Sequence, residues 1–357
     1  MAKSLLILGA AGLIGTEIRR AAAAEYELLC VDLVATPASA GLTGVTSVVG
    51  EERYEVDLGS PAEIDSFWTD AELEAREIAA VIHLAAYYDF RNRPDPRYGR
   101  VVQGLAHLLK RIGDSLSPNT PFLFASSMAA MAPTDPGHKQ VADSPRAGAW
   151  EYPRHKREAE ATLEAAAIPQ PRIELVLAAV YSKWCELVPL YQHIEQVARR
   201  SPLGWFYPGS AERGLTYVHV GSVADAFLRA IGAFRGKGGV HRLLIGEDRP
   251  VTYLQIHRAA RRAFGRQRAR VRRIPKCLAR MGAFVLVLLG KLIGKPPYIR
   301  PWMIGIAEEH FEFDVRPARR VLGWQPDGYL GDRLDAMCER AAIHRDIWLA
   351  KNETRPK

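Results

Sequence analysis

Leu5-Leu6-Ile7-Leu8-Gly9-Ala10-Ala11-Gly12-Leu13-Ile14-Gly15 decides how the rest of the chain is placed. Four apolar residues make a short buried strand, a glycine-rich turn follows, and Leu13, Ile14 and Ile18 open a helix. Gly9 permits the tight turn, Gly12 lets backbone approach a pyrophosphate, and Gly15 lets the helix pack close on the strand. Phosphates would sit on the free N–H groups and positive dipole end of that helix, with Ala11, Leu13 and Ile14 completing the cradle. A second apolar strand, Leu28-Leu29-Cys30-Val31, ends in Asp32. That is roughly 20 residues past the turn, where a dinucleotide-binding unit places its ribose-hydroxyl acceptor. An acid there repels a 2′-phosphate, which favours NAD over NADP.

With 357 residues, 48% hydrophobic and 25% charged, the chain has the composition of a soluble globular protein with a sizeable core. The net charge of +8 is concentrated between Arg261 and Arg273, which reads as a solvated helix end and loop. No nucleic-acid module accompanies it, so no nucleic-acid partner is expected. Cys30, Cys185, Cys277 and Cys338 are too scattered for a disulfide framework or a zinc site, and no metal is expected. Met1-Ala2-Lys3-Ser4 runs straight into the first strand without room for a signal peptide, which makes the cytoplasm the expected compartment.

Downstream, strands and helices alternate. Strands are expected near Tyr54-Glu55-Val56, over Ala79 to Ala86, over Pro121 to Ser127 and over Ile173 to Val180. Helices are expected from Pro61, over Val101 to Arg111 and from Trp150 onward. This is an α/β chain with a doubly wound parallel sheet and ligands at the carboxyl ends of its strands. Residues 1–181 form the dinucleotide-binding unit, to which 215–249 return. Residues 182–214 and 250–345 form a smaller, mostly C-terminal substrate-binding cap, and 346–357 a tail. Within the cap, Met281 to Gly290 is apolar without interruption, too short for the roughly 20 residues that span a bilayer. It reads either as a buried cap helix, or as a lid or interfacial helix over 278–295 flanked by Arg280, Lys291 and Lys295.

Tyr152 and Lys156 are four apart and share a helix face, and Ser127 precedes them at a strand's carboxyl end. A phenol is a poor base at neutral pH unless a nearby cation favours its anion. Tyr152 would then exchange a proton with a substrate hydroxyl or carbonyl, Lys156 would hold the nicotinamide ribose, and Ser127 would orient the reacting oxygen. His83 reads as a packed strand-end residue.

Taken in order, Gly9-x-x-Gly12-x-x-Gly15, Asp32, Asp57-Leu58, His83-Leu84-Ala85-Ala86, Ser126-Ser127 and Tyr152-x-x-x-Lys156 resemble an extended short-chain dehydrogenase/reductase of the NAD-dependent epimerase/dehydratase family. Tyr217-Val218-His219 and Leu322-Gly323-Trp324 agree with it. The resemblance implies a Rossmann-type fold, with Asp57 and Leu58 beside the adenine and Leu84, Ala85 and Ala86 along the cofactor path. It also implies Tyr87, Tyr88 and Met128 on the substrate side, and dimerisation through helices flanking the sheet.

Departures from the family pattern narrow the substrate. Nucleotide-sugar members carry an Arg where this chain has Leu215, with Arg213 two residues earlier, and the dehydratases' acid pair is replaced by Met128-Ala129-Ala130-Met131. The family's Asn three residues before Gly104 is Val101. Met128, Met131 and Trp184 under an apolar cap suit a less polar substrate, and the chain has some likeness to the 3β-hydroxysteroid-dehydrogenase-like branch. The sequence therefore reads first as an NAD(P)-dependent oxidoreductase interconverting a secondary alcohol and a ketone on a small lipophilic molecule. The alternatives are an epimerase or other sugar-modifying isomerase or lyase holding NAD tightly, and a dinucleotide-binding regulator without turnover.

Overall fold

The computed structural model describes residues 3–90, 92–265, 271–294 and 297–353. The chain begins with β1 (Ser4–Leu8), α1 (Leu13–Ala22), β2 (Glu27–Asp32), β3 (Gly50–Glu55), α2 (Pro61–Asp70) and β4 (Ile78–His83). It continues through α3 (Pro96–Ser115), β5 (Phe122–Ser127), α4 (Glu151–Ala165), β6 (Arg172–Leu177) and β7 (Ala179–Tyr181). Next come α5 (Val188–Ala198), β8 (Phe206–Pro208), β9 (Gly214–His219), α6 (Val220–Phe234), β10 (Val240–Ile245), β11 (Pro250–Thr252) and α7 (Tyr253–Ala263). The last elements are β12 (Arg272–Ile274), α8 (Lys276–Leu292), α9 (Met303–Ile306), α10 (Arg316–Leu322), α11 (Leu330–Ile343) and α12 (Arg345–Glu353).

Seven strands pair in the order β10-β6-β5-β4-β1-β2-β3, all parallel. Alternation along the strands splits the core into two layers. Leu5, Ile7, Leu28, Cys30, Ile82 and Leu123 face one way, into the layer that holds Phe227 and Ala230 of α6. Leu6, Leu8, Leu29, Val31, Phe122 and Phe124 face Ile64, Leu105 and Leu109 of α2 and α3. Helices cover both faces, so the inner strands are apolar on both sides. The sheet's order reverses beside β1, between β1 and β4, and the crevice at the strands' carboxyl ends opens there.

Three sequence expectations change. The strand expected over Ile173 to Val180 breaks at Ala178, and β7 leaves the main sheet to join β9 and β11 in a three-stranded sheet. The tail expected from residue 346 is helical to Glu353, fixed by Trp348, which is fully buried against Tyr191 and Phe264. The apolar stretch 281–290 lies in α8, yet it is not a buried helix: Ala283 and Gly290 face inward, while Met281, Phe284, Val285, Leu288 and Leu289 face out. Of the basic cluster, residues 266–270 lie outside the described residues, as does Lys295. Arg262 and Arg273 are paired with Asp335 and Glu212.

Candidate active site

Three side chains from two neighbouring elements meet where β5 ends. Ser127 closes β5, while Tyr152 and Lys156 occupy successive turns of α4. A hydrogen bond links Ser127 to the Tyr152 phenol, and the Ser127 hydroxyl also accepts from the Ala129 N–H at 3.3 Å. Burial pushes the Tyr152 phenol up to about 12, against which the Ser127 bond pulls only weakly. The expected lowering of this group by Lys156 is absent. The reason is visible in the geometry, because Lys156 donates its Nζ to the Ala125 carbonyl at 2.9 Å and lies over the Phe124 ring. Burial also holds Lys156 down at about 8, although Glu160 and Glu174 raise it.

Those two carboxylates are fully buried behind the site. Glu160, one turn beyond Lys156, accepts from Ser126 Oγ and from Arg146 Nε, the latter at 2.6 Å. Ser126 Oγ in turn accepts from the Ser127 N–H at 2.6 Å, so a buried ion pair fixes the backbone of the site's hydroxyl. Glu174 is held by Arg242 at 3.1 Å, and both burial and its neighbour Glu160 push its carboxyl upward.

The glycine turn matches a nucleotide cradle. Gly9 has φ +92°, and a Cβ there would meet the Ala85 backbone N at 2.7 Å. A Cβ on Gly15 would lie 2.4 Å from the Gly9 carbonyl oxygen. Gly12 meets nothing closer than 3.5 Å, so its bareness serves the open side of the turn. No side chain caps α1 and no acid stands in its first turn, which leaves its N-terminal N–H groups and dipole for an anion. Gly9, Gly12, Leu13, Ile14, Gly15 and Leu84 line a cavity of about 250 Å³ there. Asp32 accepts from the Ala11 N–H at 2.9 Å and from the Leu33 N–H at 2.8 Å, which aims the carboxylate along the same crevice. Asp57 is held by Arg100 and by the Gly59 N–H, beside Leu58 at the end of β3. A Rossmann dinucleotide fits this set of groups.

Joined to that cavity through Ile14, Leu84, Tyr88, Val180 and Leu187 is a larger one of about 490 Å³, into which Ser127, Tyr152 and Lys156 project. Tyr88, Met128, Met131, Phe206 and Phe311 belong to its walls, with Ala86 toward the cofactor side. Tyr88 stands edge-on to Tyr152, with ring centroids 4.8 Å apart and planes at 90°. Tyr87 does not face the substrate side as expected: its hydroxyl is bound by Asp95 and Arg97, and successive residues of an extended segment point opposite ways. Trp184 is likewise absent from the wall, packed instead on His344 and Arg340. Val101, with Ala85 and His83, lines a separate pocket of about 30 Å³ behind Tyr152 and Lys156. Burial keeps His83 neutral, at about 3.

Sequence reading missed an aromatic cluster. Phe90 lies 5.0 Å from Trp150, Trp150 lies 5.6 Å from Tyr152, and Trp302 and Tyr298 close over Phe90 from beyond α8. The density of rings in Tyr87-Tyr88-Asp89-Phe90 and Trp150-Glu151-Tyr152 was its only signal. Also missed were His193, His257 and Glu309, which line the larger cavity. Burial holds His193 at about 3 and raises Glu309 to about 7. Arg213 points to the surface, paired with Asp135 at 2.6 Å, and Leu215 stands in the wall. Among the described residues the cavity has no Arg, and Lys156 is its one Lys.

The chain covers 96% of its length on the UDP-glucose 4-epimerase of Thermotoga maritima, with 99% of that chain covered, TM-score 0.68 and 19% identity. A dTDP-glucose 4,6-dehydratase of Bacillus anthracis, solved with NAD, matches 98% of this chain and 100% of its own at TM-score 0.69 and 12% identity. The UDP-glucose 4-epimerase of Thermus thermophilus, also with NAD, matches 94% and 98% at TM-score 0.66 and 18% identity. These similarities establish the shared fold. No curated protein matches the sequence. The description of the NAD dependent epimerase/dehydratase family matches residues 5–246, two thirds of the chain and all seven strands of the main sheet but for Ser4, and NAD is its cofactor. The chain belongs to the NAD-dependent epimerase/dehydratase family, within the extended short-chain dehydrogenase/reductase superfamily.

Proposed function

We propose that the protein is an NAD-dependent oxidoreductase that interconverts a secondary alcohol and a ketone on a lipophilic substrate. The observation that carries this reading is the cavity wall. It is apolar and aromatic, and no described Arg faces a diphosphate in it. A nucleotide-sugar would bury two negative charges there with little to pair them. In the division of labour we propose, 1–181 with 215–249 hold the dinucleotide, and 182–214 with 250–345 hold the substrate. The four free cysteines support a reducing compartment.

When bound, the dinucleotide would supply or take the hydride. In reduction, Tyr152 gives its phenolic proton to the substrate oxygen while Ser127 hydrogen-bonds that same oxygen and fixes its position. In oxidation, Tyr152 takes the hydroxyl proton back. Burial keeps the Tyr152 phenol protonated at neutral pH until it exchanges its proton with the substrate oxygen. Lys156, held on the Ala125 carbonyl, would orient the nicotinamide ribose, and Asp32 would accept from the adenosine ribose hydroxyls. Gly9, Gly12 and Gly15 would admit the pyrophosphate. The test is NADH oxidation with a panel of bulky apolar ketones, run beside UDP-hexoses. Tyr152→Phe is expected to lower kcat by about 10²–10⁴-fold with NADH affinity kept. An unchanged rate in that variant would sink the mechanism.

A second reading, an epimerase that keeps one NAD through its cycle, is favoured by the fold shared with the UDP-glucose 4-epimerases. It predicts UDP-hexose interconversion without net change in NADH. A regulator without turnover is disfavoured by the assembled Ser127, Tyr152 and Lys156.

A further inference from the structure

Helix α8 is amphipathic in the wrong sense for a core helix. Ala279, Ala283 and Gly290 are its buried residues, and Ala279 and Ala283 pack on Ile304, Ile274 and Ile299. Leu278, Met281, Phe284, Val285, Leu288, Leu289 and Leu292, with Ile293 just beyond, point to solvent. These eight belong to the nineteen large apolar side chains exposed among the described residues, so they form a patch and are not scattered singly. Phe284 is 65% exposed and Leu292 77%.

Charge runs along the same helix. It contains no acid, and Arg280 and Lys291, about three turns apart, fall on one edge of the apolar stripe. Arg272, Arg280 and Lys291 are exposed and have no ion pair among the described residues, while Lys276 and Arg273 are paired with Glu308 and Glu212. β12 leads into α8 and pairs with β8, where Trp205 and Phe206 are exposed as well. Ile299 and Ile304, which pack on the buried face of α8, also line the 490 Å³ cavity together with Phe206.

We propose that α8 seats this protein on an anionic phospholipid surface, lying in the interface with its large side chains among the acyl chains and its cations at the headgroups. No described helix is long and apolar enough to cross a membrane, and an interfacial position needs no such length. A second copy of the chain fits less well. A two-fold pairing of α8 on itself would supply no acid for Arg280 and Lys291, because the helix has none, whereas an anionic bilayer neutralises them. The inference goes beyond the proposed oxidoreductase and does not rest on it. Binding is read without turnover, so failure of one does not touch the other.

The experiment is co-sedimentation of the full chain with vesicles of phosphatidylcholine, with and without phosphatidylglycerol, at low and high salt. Binding is expected to the anionic vesicles and to weaken with salt. R280E/K291E should lower it by roughly ten-fold or more. F284E/L288E should abolish it with the melting temperature unchanged, since both side chains are already in water and neither lines the cavity. Absence of binding to anionic vesicles at low salt would overturn the proposal. So would binding that F284E/L288E leaves intact, or a concentration-dependent dimer that this variant dissolves while vesicle binding persists.

Discussion

Lys156 donates its Nζ to the carbonyl oxygen of Ala125 at 2.9 Å, tying α4 to the carboxyl end of β5 with a buried cation. The contact turns the ammonium toward the sheet, and burial lowers it from its ordinary 10.5 to about 8. An amine depressed in the fold is protonated more readily in the unfolded chain. Stability contributed by the neutral form is therefore gained as pH rises from about 8 to 10.5, and is missing below 8. That gap corresponds to about 3 kcal/mol at neutral pH. Lys156→Met is predicted to lose turnover while raising Tm by a few degrees. A calorimetric scan at neutral pH checks it, and a lowered Tm would contradict the assigned burial cost.

The glycine turn separates folding from ligand approach. Gly15→Ala puts a methyl 2.4 Å from backbone and should lower Tm and NAD affinity together. Gly12→Ala meets nothing closer than 3.5 Å, so Tm should hold while NAD binding, measured by calorimetric titration, falls by about ten-fold or more.

Asp32 uses both carboxylate oxygens on backbone N–H groups at the mouth of the crevice. Asp32→Ala should weaken NAD and raise the ratio of NADP to NAD affinity, because the charge that repels a 2′-phosphate is gone. Paired titrations with NADH and NADPH read that ratio directly.

Leu215 stands in the cavity wall at the position where the family resemblance gives nucleotide-sugar members an Arg. Leu215→Arg is predicted to raise affinity for UDP and to lower turnover of an apolar ketone, since a guanidinium in that wall must be desolvated by the substrate. Equal effects on both would show that the wall does not set the substrate class.

Much of this was legible in the residues. Strand, turn and acid read correctly from Leu5 to Asp32 because that unit is local, with period, glycine spacing and chain distance all carried by one segment. Ser127, Tyr152 and Lys156 were legible because helix periodicity and strand ends place them. What failed was contact across the fold. Tyr87 and Tyr88 look alike in sequence, and only Asp95 and Arg97 show which one turns away. Phe90, Trp302 and Tyr298 come from distant segments, so no spacing links them. Composition marked α8 as apolar, but the direction of its large side chains depends on what packs against Ala279 and Ala283.

The most direct test of the proposed chemistry follows deuterium from NADH labelled at the nicotinamide C4 in the presence of an apolar ketone. The account predicts an alcohol carrying one deuterium on the new carbinol carbon, with one NAD released per alcohol formed. Interconversion of UDP-hexose that leaves the labelled NADH unconsumed, with no deuterated alcohol formed from any apolar ketone, would contradict it.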